Sequence, residues 1–380
     1  MLNKIALFTD GIFPFQVGGM QMHSMYLIRY LSRAGIEVHV FHPHWEKFNE
    51  ETPFSEEEML NIHFHFVATP EVKKFPGHYL WESWVYSKGI EEARIQSGQE
   101  FDLIYVQGFS GWSTLNKNLA AKSLVNLHGL EMFQKPVGMK GWAISKMLSL
   151  PANHAIRHAN YVQSLGGHLN RILENQGVPA QKILSLPIGI EESWLAKTEE
   201  IHPSTAKRKL VFVGRYERRK GIEELMPVLE ELLEKELEFE FEFIGPIPEK
   251  LQLPHKRVCY HGMIRQPQKI REILLGADVL VVPSHSEGMP TVIMEAMSTA
   301  CAIIATDVGA VGVQVDESNG WLIPPFDKKA LKNAMEASIT WESPKLDELR
   351  QASLERVKTL FLWPKVIDQM LHSITEKVLA

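Results

Sequence analysis

The sequence contains very little cysteine and no long hydrophobic run. Its 380 residues include only two cysteines, Cys259 and Cys301, which excludes a disulfide framework and favours buried free thiols in a reducing compartment. No stretch approaches the roughly 20 apolar residues of a membrane-spanning helix. The apolar run at the N-terminus is too short for a signal peptide, because it breaks at Asp10-Gly11. We therefore expect a cytoplasmic protein.

An excess of positive charge is also lacking. The chain carries 40 lysines and arginines against 46 aspartates and glutamates, which gives a formal net charge of -6 and an isoelectric point near 6.3. Nucleic-acid-binding domains are usually basic, so a nucleic-acid partner is not expected.

Recognisable metal-binding patterns are missing as well. The sequence has no Asp-x-Asp pair and no His/Cys cluster with ligand spacing. His42 and His44, like His63 and His65, alternate within strand-like segments, where a structural role is favoured over metal binding. We predict that no metal or other cofactor is required.

What the sequence does contain is a regular alternation of apolar, strand-like runs and helical patterns. This alternation is typical of an α/β fold in which helices join parallel strands. One helix is predicted over 20–34 and is closed by Gly35, a residue suited to a helix C-terminus. We predict seven strands in the first half, at 4–10, 37–43, 63–69, 103–108, 123–129, 161–165 and 183–189, and six in the second half, at 210–214, 239–245, 258–262, 279–284, 302–306 and 321–324.

The chain length and a break in this pattern indicate two domains. A chain of 380 residues is long enough for two separate hydrophobic cores. Between the halves, the segment 191–206 is polar, contains Pro203 and has no clear period. We predict an N-terminal domain at 1–190, a linker at 191–206, a C-terminal domain at 207–355 and a final helical segment at 356–380.

Two carboxylates surround a predicted helix start in the second half. The strand at 279–284 leads into a loop, and Pro290 suits the first turn of the helix that follows. Free N–H groups and the positive dipole end of such a helix form an anion site. Glu287 precedes the helix, and Glu295 lies roughly one and a half turns inside it. This layout matches a sugar joined to a nucleoside diphosphate, which has hydroxyls at both ends and phosphates between them.

Basic residues follow the first strand of the second half. Arg215 comes after the strand-ending Gly214, and Lys220 stands five residues later. Open α/β sheets bind ligands at the carboxyl ends of their strands. A guanidinium and an ammonium there would bind phosphate oxygens and balance the charge of a departing diphosphate. The alternative is a solvated basic turn, since Arg218 and Arg219 add further charge.

Paired glycines mark the equivalent place in the first half. Gly18 and Gly19 precede the helix that is predicted from about Met20, and they would let a ligand approach the backbone and the helix N–H groups closely. No GxGxxG dinucleotide motif is present. A glycine-rich surface turn is the alternative.

Taken together, these motifs resemble the family 4 glycosyltransferases over nearly the whole chain. The matching elements are the early Gly-Gly pair, GR-x4-KG at 214–221 and EG-x-P-x3-ME at 287–295, and the last is the most specific. The resemblance implies the GT-B architecture, an α/β fold of two facing Rossmann-like domains with an interdomain cleft. It also implies that the C-terminal helix crosses back onto the N-terminal domain near Trp363-Pro364.

The function that this resemblance implies is the transfer of a sugar, of the hexose type, from a nucleoside-diphosphate sugar to an acceptor. The anomeric configuration would be retained, and no metal would be needed. The acceptor would be a glycan or a lipid-linked intermediate of cell-surface polysaccharide synthesis.

By the same resemblance, Arg215 and Lys220 would hold the donor diphosphate, Glu287 would lie beside the donor sugar, and Glu295 would bind the ribose hydroxyls. His128 would lie near the transferred sugar, unless it is a structural strand-end histidine. The expected catalytic residues are thus His128, Arg215, Lys220 and Glu287. The donor-binding residues would include Arg215, Lys220 and Glu295 and, in addition, Gly18, Gly19, Gly214, Gly288, Met289, Pro290, Thr291 and Val292.

Several positions depart from the family pattern. Pro187-Ile188-Gly189 replaces the frequent Asn-Gly, and Ala300 and Ala302 stand where a glycine and a proline are usual. The acidic residue of a later GG-x-x-E pattern is absent at Val313. These changes leave the expected diphosphate residues intact and bear on the donor sugar and the local backbone.

The acceptor is expected on the N-terminal domain, around 11–20, 75–84 and 108–112. Aromatic residues of these segments would stack on sugar rings or take a lipid, unless they belong to the core: Phe75, Tyr79, Trp81, Trp84, Phe109 and Trp112. A basic and apolar segment beyond them predicts contact with an anionic membrane, with a solvated helix face as the alternative. Its residues are Met132, Phe133, Lys135, Lys140, Trp142, Lys146, Met147, Leu148 and Arg157.

Other functional classes remain open at this point. A sugar-nucleotide epimerase would share the donor pocket but would need no acceptor. A phosphorylase would need a pyridoxal-binding lysine context, which is not seen. A non-catalytic relative that binds a sugar or nucleotide is the third alternative.

Overall fold

The computed structural model describes residues 2–44, 52–70, 77–115, 117, 119–136 and 138–379, apart from the side chain of Lys140. The chain forms two compact units. The first consists of Met1–Ile188 together with Trp363–Ala380, and the second of Gly189–Leu362. The chain therefore leaves the first unit once and returns to it at its end.

A parallel sheet of seven strands forms the centre of the first unit, in the order β3-β2-β1-β4-β5-β6-β7. The strands are β1 (Lys4–Phe8), β2 (Glu37–Pro43), β3 (Ile62–Val67), β4 (Leu103–Gln107), β5 (Lys122–Asn126), β6 (Tyr161–Ser164) and β7 (Ile183–Ser185). The strand order reverses between β1 and β4. Open α/β sheets bind ligands beside the carboxyl ends of the strands at such a reversal.

The helices of the first unit that precede the second are α1 (Gly19–Arg33), α2 (Glu56–Met59), α3 (His78–Gln96), α4 (Gly138–His158) and α5 (His168–Asn175). Helix α1 buries Met25, Ile28 and Leu31, whose spacing places them on one face. It ends where Gly35 adopts φ 78°, the left-handed conformation that closes many helices. The helix predicted over 20–34 is confirmed to within a residue.

The second unit contains a parallel sheet of six strands in the order β10-β9-β8-β11-β12-β13. The strands are β8 (Arg208–Val213), β9 (Phe239–Ile244), β10 (Val258–Tyr260), β11 (Val279–Val282), β12 (Ala302–Thr306) and β13 (Gly320–Ile323). Its helices are α6 (Ile222–Leu233), α7 (Pro267–Leu275), α8 (Thr291–Ser298), α9 (Val311–Gln314), α10 (Lys328–Thr340) and α11 (Ser343–Leu360). Strands β11 and β12 are buried throughout, as their continuous apolar runs predict.

The last helix, α12 (Trp363–Lys377), belongs to the first unit and packs against α1. Trp363 is buried and stacks on Tyr30, with ring centroids 5.9 Å apart. Val366, Met370 and Ile374 recur at helical spacing and join the core of the first unit. The Trp363-Pro364 break of the sequence is therefore the start of this helix, where proline is tolerated.

The predicted α/β fold with two parallel sheets is confirmed, and a strand is found at each of the thirteen predicted places. Several predicted carboxyl ends were too long. Asp10 and Gly108, for example, lie beyond β1 and β4. The last hydrogen bonds to the neighbouring strands come from the N–H groups of Thr9 and Gly108, and Gly108 then turns the chain with φ 57°. Residues 191–206 contain two short 3-10 turns and lie in the second unit. Within the described part of the chain, none of the helices combines the length and the apolarity needed to cross a bilayer.

Candidate active site

The carboxylate of Glu287, in the loop after β11, is held by three polar side chains. Lys220 Nζ donates to its Oε1 at 2.6 Å, and Ser284 Oγ donates to the same oxygen at 2.7 Å. Arg219 Nη1 lies 3.7 Å from the other oxygen, Oε2. The side chains of Lys220 and Glu287 are only 18% and 7% exposed, so the pair is largely shielded from water. Each charge stabilises the other, because either charge would be costly to bury without its partner.

Two glycines allow the loops around Glu287 to meet. Gly221 has φ 68°, and a Cβ atom there would lie 1.8 Å from Pro283 O. Gly309 has φ 56°, and a Cβ atom there would lie 2.1 Å from Glu287 O. Only glycine permits such close approaches. The loops after β8, β11 and β12 therefore meet at the carboxyl ends of three neighbouring strands, the position at which α/β sheets bind ligands.

Arg215 has a more open environment than Lys220. It follows β8 and Gly214, its side chain is 67% exposed, and its Nη2 lies 2.9 Å from Glu217 Oε1. The other oxygen of Glu217 contacts Arg219 Nε, also at 2.9 Å. The loop thus presents one exposed guanidinium beside one that is partly buried. An exposed guanidinium is able to turn its planar fork toward a phosphate group.

The structure separates two adjacent arginines that sequence reasoning treated alike. Arg218 makes a bidentate contact with Glu224, with both N–O distances at 2.6 Å, and its Nη1 lies 2.6 Å from His285 Nε2. Burial opposes the charge of Glu224, but hydrogen bonds from Arg218 and His285 outweigh it and lower the pKa of this carboxyl. Arg218 therefore ties the loop to α6, whereas Arg219 faces Glu287.

Glu295 lies on α8, one turn beyond the helix start. Among the described residues no side chain caps this helix, and Pro290 occupies its N-cap position. The first amide groups of a helix have no partner within it, so they are able to receive an anion. Glu295 is half-buried, and burial raises its pKa to about 7 against the opposing effect of a hydrogen bond from Thr291. A carboxyl group in this state can bind a ligand hydroxyl.

The donor-binding candidates at 288–292 form the end of the loop after β11 and the first residues of α8. Met289 and Pro290 are buried, Gly288 and Val292 are half-buried, and Thr291 is exposed. The turn therefore offers a ligand mainly its backbone. The structure thus brings the predicted residues of this unit to one edge of its sheet.

Ala300 has a left-handed backbone, the conformation that favours glycine. Its φ is 57°, it is fully buried, and Arg350 Nε donates to its carbonyl oxygen at 3.0 Å. A left-handed conformation costs a non-glycine residue about 1 kcal/mol or more. Alanine at this position therefore holds backbone strain that a glycine would not.

In the first unit, Gly18 is the N-cap of α1 and Gly19 is its first residue. Gly18 is extended, with φ 172°, and a Cβ atom there would lie 2.1 Å from Gln21 Oε1. Gln21 Nε2 donates to Asp10 Oδ1 at 2.9 Å, which ties the helix start to the loop after β1. A Cβ atom at Gly19 would meet no described atom within 4 Å. Gly19 therefore borders open space, whereas Gly18 fits against a side chain.

His128 follows β5 with a left-handed backbone of φ 59°. Its N–H donates to Asn126 Oδ1 at 2.8 Å, and its Nε2 lies 2.7 Å from Gln107 Oε1 at the end of β4. Burial lowers the pKa of His128 to about 4, so the ring is neutral at pH 7. Because Gln107 Oε1 can only accept, the hydrogen-bond partners assign the proton to Nε2 and leave Nδ1 as an acceptor.

The aromatic acceptor candidates fall into two groups. The rings of Trp84 and Trp112 pack edge to face within the first unit, with centroids 5.4 Å apart. This contact gives both residues a role in packing. Trp81 is 55% exposed, whereas Tyr79 and Phe109 are half-buried. Phe75 lies outside the described residues.

The basic and apolar segment forms α4 and the turn before it. Met139, Trp142 and Leu150 are exposed on this helix, as is Lys146. A groove of about 360 Å³ lies between the helix and the preceding turn, with Phe133, Trp142 and Lys146 among its lining residues. Apolar rings beside an ammonium group are typical of surfaces that bind amphipathic ligands.

Sequence reasoning missed three side chains of this site. Arg219 was treated as background charge, and Ser284 and Glu217 were not considered. A hydroxyl three residues before a carboxylate is a recognisable signal for a hydrogen bond within a loop. For Arg219 and Glu217 the run of charges contains no comparable signal, because the backbone alone decides which of them turns inward.

Sequence comparisons identify the class to which these sites belong. The family profile Glycosyl transferases group 1 matches residues 207–340, and the profile Glycosyltransferase Family 4 matches residues 17–194. One relative is the putative teichuronic acid biosynthesis glycosyltransferase TuaC of Bacillus subtilis, which is 36% identical over 175 residues. This match spans 43% of the present chain and 44% of the relative, less than half of either.

Solved structures agree with this class at the level of the fold. Sucrose-phosphate synthase from Thermosynechococcus elongatus matches with a TM-score of 0.78 over 98% of each chain, at 20% identity. HepE from Anabaena, in complex with UDP-glucose, matches with a TM-score of 0.66 over 98% of this chain and 99% of that one, at 15% identity. The two profiles, one in each half of the chain, define the class as the glycosyltransferases, and the solved structures share its fold of two Rossmann-like units. More particularly, the chain belongs to the family 4 glycosyltransferases of the GT-B type.

Proposed function

We propose that this glycosyltransferase takes a hexose from a nucleoside-diphosphate sugar and transfers it to an acceptor hydroxyl with retention of the anomeric configuration. The observation that carries the proposal is the Lys220–Glu287 contact of 2.6 Å beside the uncapped start of α8. Cations, helix amides and a carboxylate meet there at one sheet edge. A diphosphate with a sugar on one side needs this combination of partners.

The chemistry assigned to the cations is stabilisation of the leaving group. In the transfer, the bond between the anomeric carbon and the diphosphate oxygen breaks, and negative charge grows on that oxygen. Lys220 and the exposed guanidinium of Arg215 would bind this charge, together with the first amides of α8. With this charge compensation from the chain itself, the reaction requires no divalent metal. The relation of HepE to UDP-glucose supports a donor of this class.

The two carboxylates would hold the two ends of the donor. Glu287, oriented by Lys220 and Ser284, would accept hydrogen bonds from hydroxyls of the sugar. Glu295, one turn inside α8, would bind hydroxyls of the ribose. His128, neutral and with an acceptor nitrogen available, would bind a hydroxyl of the transferred sugar.

The acceptor is proposed to be a glycan or a lipid-linked intermediate of cell-surface polysaccharide synthesis. The similarity to TuaC, a putative teichuronic acid biosynthesis glycosyltransferase, supports this class. The exposed apolar and basic side chains of α4 support peripheral contact with an anionic membrane, where lipid-linked acceptors are found. Sedimentation with anionic vesicles tests this contact, and equal binding to neutral vesicles would count against it.

A thermal-shift screen with UDP, GDP, ADP and their sugars tests the donor, because a ligand that binds the folded protein raises its apparent stability. One nucleotide and its sugar should raise Tm in the wild type but not in Glu287→Ala or Lys220→Ala. The matched control is Lys235→Ala with Glu336→Ala, an exposed ion pair of the same unit with a 2.8 Å contact. A sugar isomerised from donor alone would favour an epimerase, and full turnover by both site variants would refute the assignment.

A further inference from the structure

A cluster of ionisable side chains lies on the sheet of the first unit, toward the amino ends of its strands. Glu37 and His39 lie on β2, and His63 and His65 lie on the edge strand β3. His39 and His63 are direct partners across the parallel ladder. Because side chains two residues apart in a strand share a face, all four residues lie on the same face of the sheet.

Three potential ligand atoms converge in this cluster. Glu37 Oε1 lies 2.8 Å from His39 Nε2 and 3.5 Å from His63 Nε2. The ligand atoms of these three residues all lie within 4.8 Å of one another. Tetrahedral ligands of Zn²⁺, at metal distances of about 2.0–2.2 Å, stand roughly 3.4 Å apart. The triangle therefore needs side-chain adjustments of about 1 Å or less to surround an ion.

The outer contacts also suit a metal-binding histidine. His39 Nδ1 lies 2.9 Å from His65 Nε2, so His39 can donate from Nδ1 while its Nε2 faces the other two ligand atoms. A hydrogen bond from the second ring nitrogen is the usual way in which a ligating histidine is oriented.

Lys4 is the competing cation of this cluster. Its Nζ lies 3.0 Å from Glu37 Oε1 and 3.0 Å from Gln99 Oε1. A metal ion on Glu37 would repel this ammonium group, but Lys4 would keep its hydrogen bond to Gln99. Removing the charge of Lys4 should therefore strengthen metal binding. A cluster that is only a network of hydrogen bonds would show no such gain in metal affinity.

We propose that Glu37, His39 and His63 bind a divalent transition-metal ion of the zinc type, with His65 as the partner that orients His39. Two imidazoles and one carboxylate suit Zn²⁺ better than Ca²⁺ or Mg²⁺, which prefer oxygen ligands throughout. Three protein ligands leave the fourth tetrahedral position to water. The ion would tie the edge strand β3 to β2 and would take no part in sugar transfer.

The sequence patterns singled out only part of this cluster. His42 and His44 alternate in one strand-like segment and His63 and His65 in another, with a structural role favoured for both. The structure places His39 opposite His63, while His42 is buried and pairs with Phe66 across the ladder, on the other face. The register between β2 and β3 is what places His39, and not His42, beside His63. This register cannot be read from the sequence of either strand alone.

The test is calorimetric titration of Zn²⁺ into the full chain after treatment with EDTA and desalting. We expect one ion per chain, at least tenfold weaker binding in His63→Gln, and tighter binding in Lys4→Met. His63 is 48% exposed, so His63→Gln should fold and should show the wild-type Tm without zinc. Zinc should raise Tm in the wild type by mass action but should raise it less in His63→Gln.

Two variants control for other surface histidines. His44→Gln changes an exposed residue next to β2 and should bind zinc as the wild type does. His158→Gln removes one of two neighbouring rings on α4, His154 and His158, whose centroids lie 4.2 Å apart. Zinc affinity that is unchanged in His63→Gln, or lost in His158→Gln, would overturn the proposal. The absence of binding to the wild type would overturn it as well.

Discussion

Replacing Lys220 by methionine separates the structural from the chemical role of the Lys220–Glu287 pair. Methionine keeps much of the length of the lysine stem but removes the ammonium group that lies 2.6 Å from Glu287 Oε1. Glu287 would then keep Ser284 and the more distant Arg219 as its partners. We expect a loss of stability, because the Glu287 carboxylate loses its closest cation, and a separate loss of catalysis from the missing charge at the diphosphate.

The burial of the pair sets the size of the first effect. Removing one partner of a fully buried ion pair costs about 3–5 kcal/mol, whereas exposed pairs contribute roughly 0–1 kcal/mol. Side chains that are 18% and 7% exposed lie between these limits, so about 2 kcal/mol is expected for Lys220→Met. For a unit of this size that lowers Tm by roughly 4–8 °C.

The second effect should be larger. Removing one preorganised group that stabilises developing charge costs about 100-fold to 1000-fold in kcat, or roughly 3–4 kcal/mol of barrier. The assay is initial-rate kinetics of transfer, with thermal unfolding of the same samples. Lys235→Met, which breaks an exposed ion pair in the same unit, should change neither by a comparable amount.

The double variant Lys220→Met with Glu287→Gln decides between the two roles. A neutral amide needs no counter-charge, so this variant should regain most of the lost stability. It should not regain turnover, because the charge at the diphosphate is still missing. Recovery of turnover together with stability would show that Lys220 serves only to neutralise Glu287, and it would refute the diphosphate assignment.

Three further predictions concern the strain at Ala300, the protonation of Glu295 and the metal dependence of transfer. Ala300→Gly should raise the free energy of unfolding by about 1 kcal/mol, seen as a higher denaturant midpoint, since φ 57° strains alanine; an unchanged midpoint would contradict this. Folded Glu295, with its pKa raised from 4.5 to about 7, keeps a proton that the unfolded chain loses, so wild-type stability should fall between these pH values. In Glu295→Gln, Tm measured at a series of pH values should no longer fall over this range. If Tm still fell, a group other than Glu295 would cause the pH dependence. Transfer should survive EDTA, because Arg215 and Lys220 supply the charge compensation, and loss of activity that magnesium or manganese restores would refute metal-independent catalysis.

The fold could be predicted from the sequence because its information is local. A buried parallel strand needs a short continuous apolar run, and runs such as Val279–Val282 are readable without their neighbours. Where a strand ends is decided by the last hydrogen bond of its ladder, which depends on the adjacent strand. This is why Asp10 was assigned to a strand that the chain has already left.

The second-unit site was predictable for a similar reason and to a similar extent. Lys220 and Glu287 are 67 positions apart, yet both follow strands that are neighbours in a parallel sheet, so their meeting follows from topology. What topology does not decide is the direction of each side chain in a loop. Arg218 and Arg219 are identical in type and adjacent, and the backbone sends one to Glu224 and the other to Glu287.

The glycines explain why the loop backbone is so restrictive. Gly221 and Gly309 each occupy a left-handed conformation in which a Cβ atom would overlap a carbonyl oxygen of the loop that carries Glu287. Any side chain at either position would push that loop away and would lengthen the 2.6 Å contact between Lys220 and Glu287. Gly221→Ala should therefore reduce turnover, although alanine adds only one methyl group. Ala300→Gly, which relieves backbone strain just after α8, should leave turnover unchanged. If Gly221→Ala kept wild-type turnover, close contact between these loops would not be what positions the carboxylate.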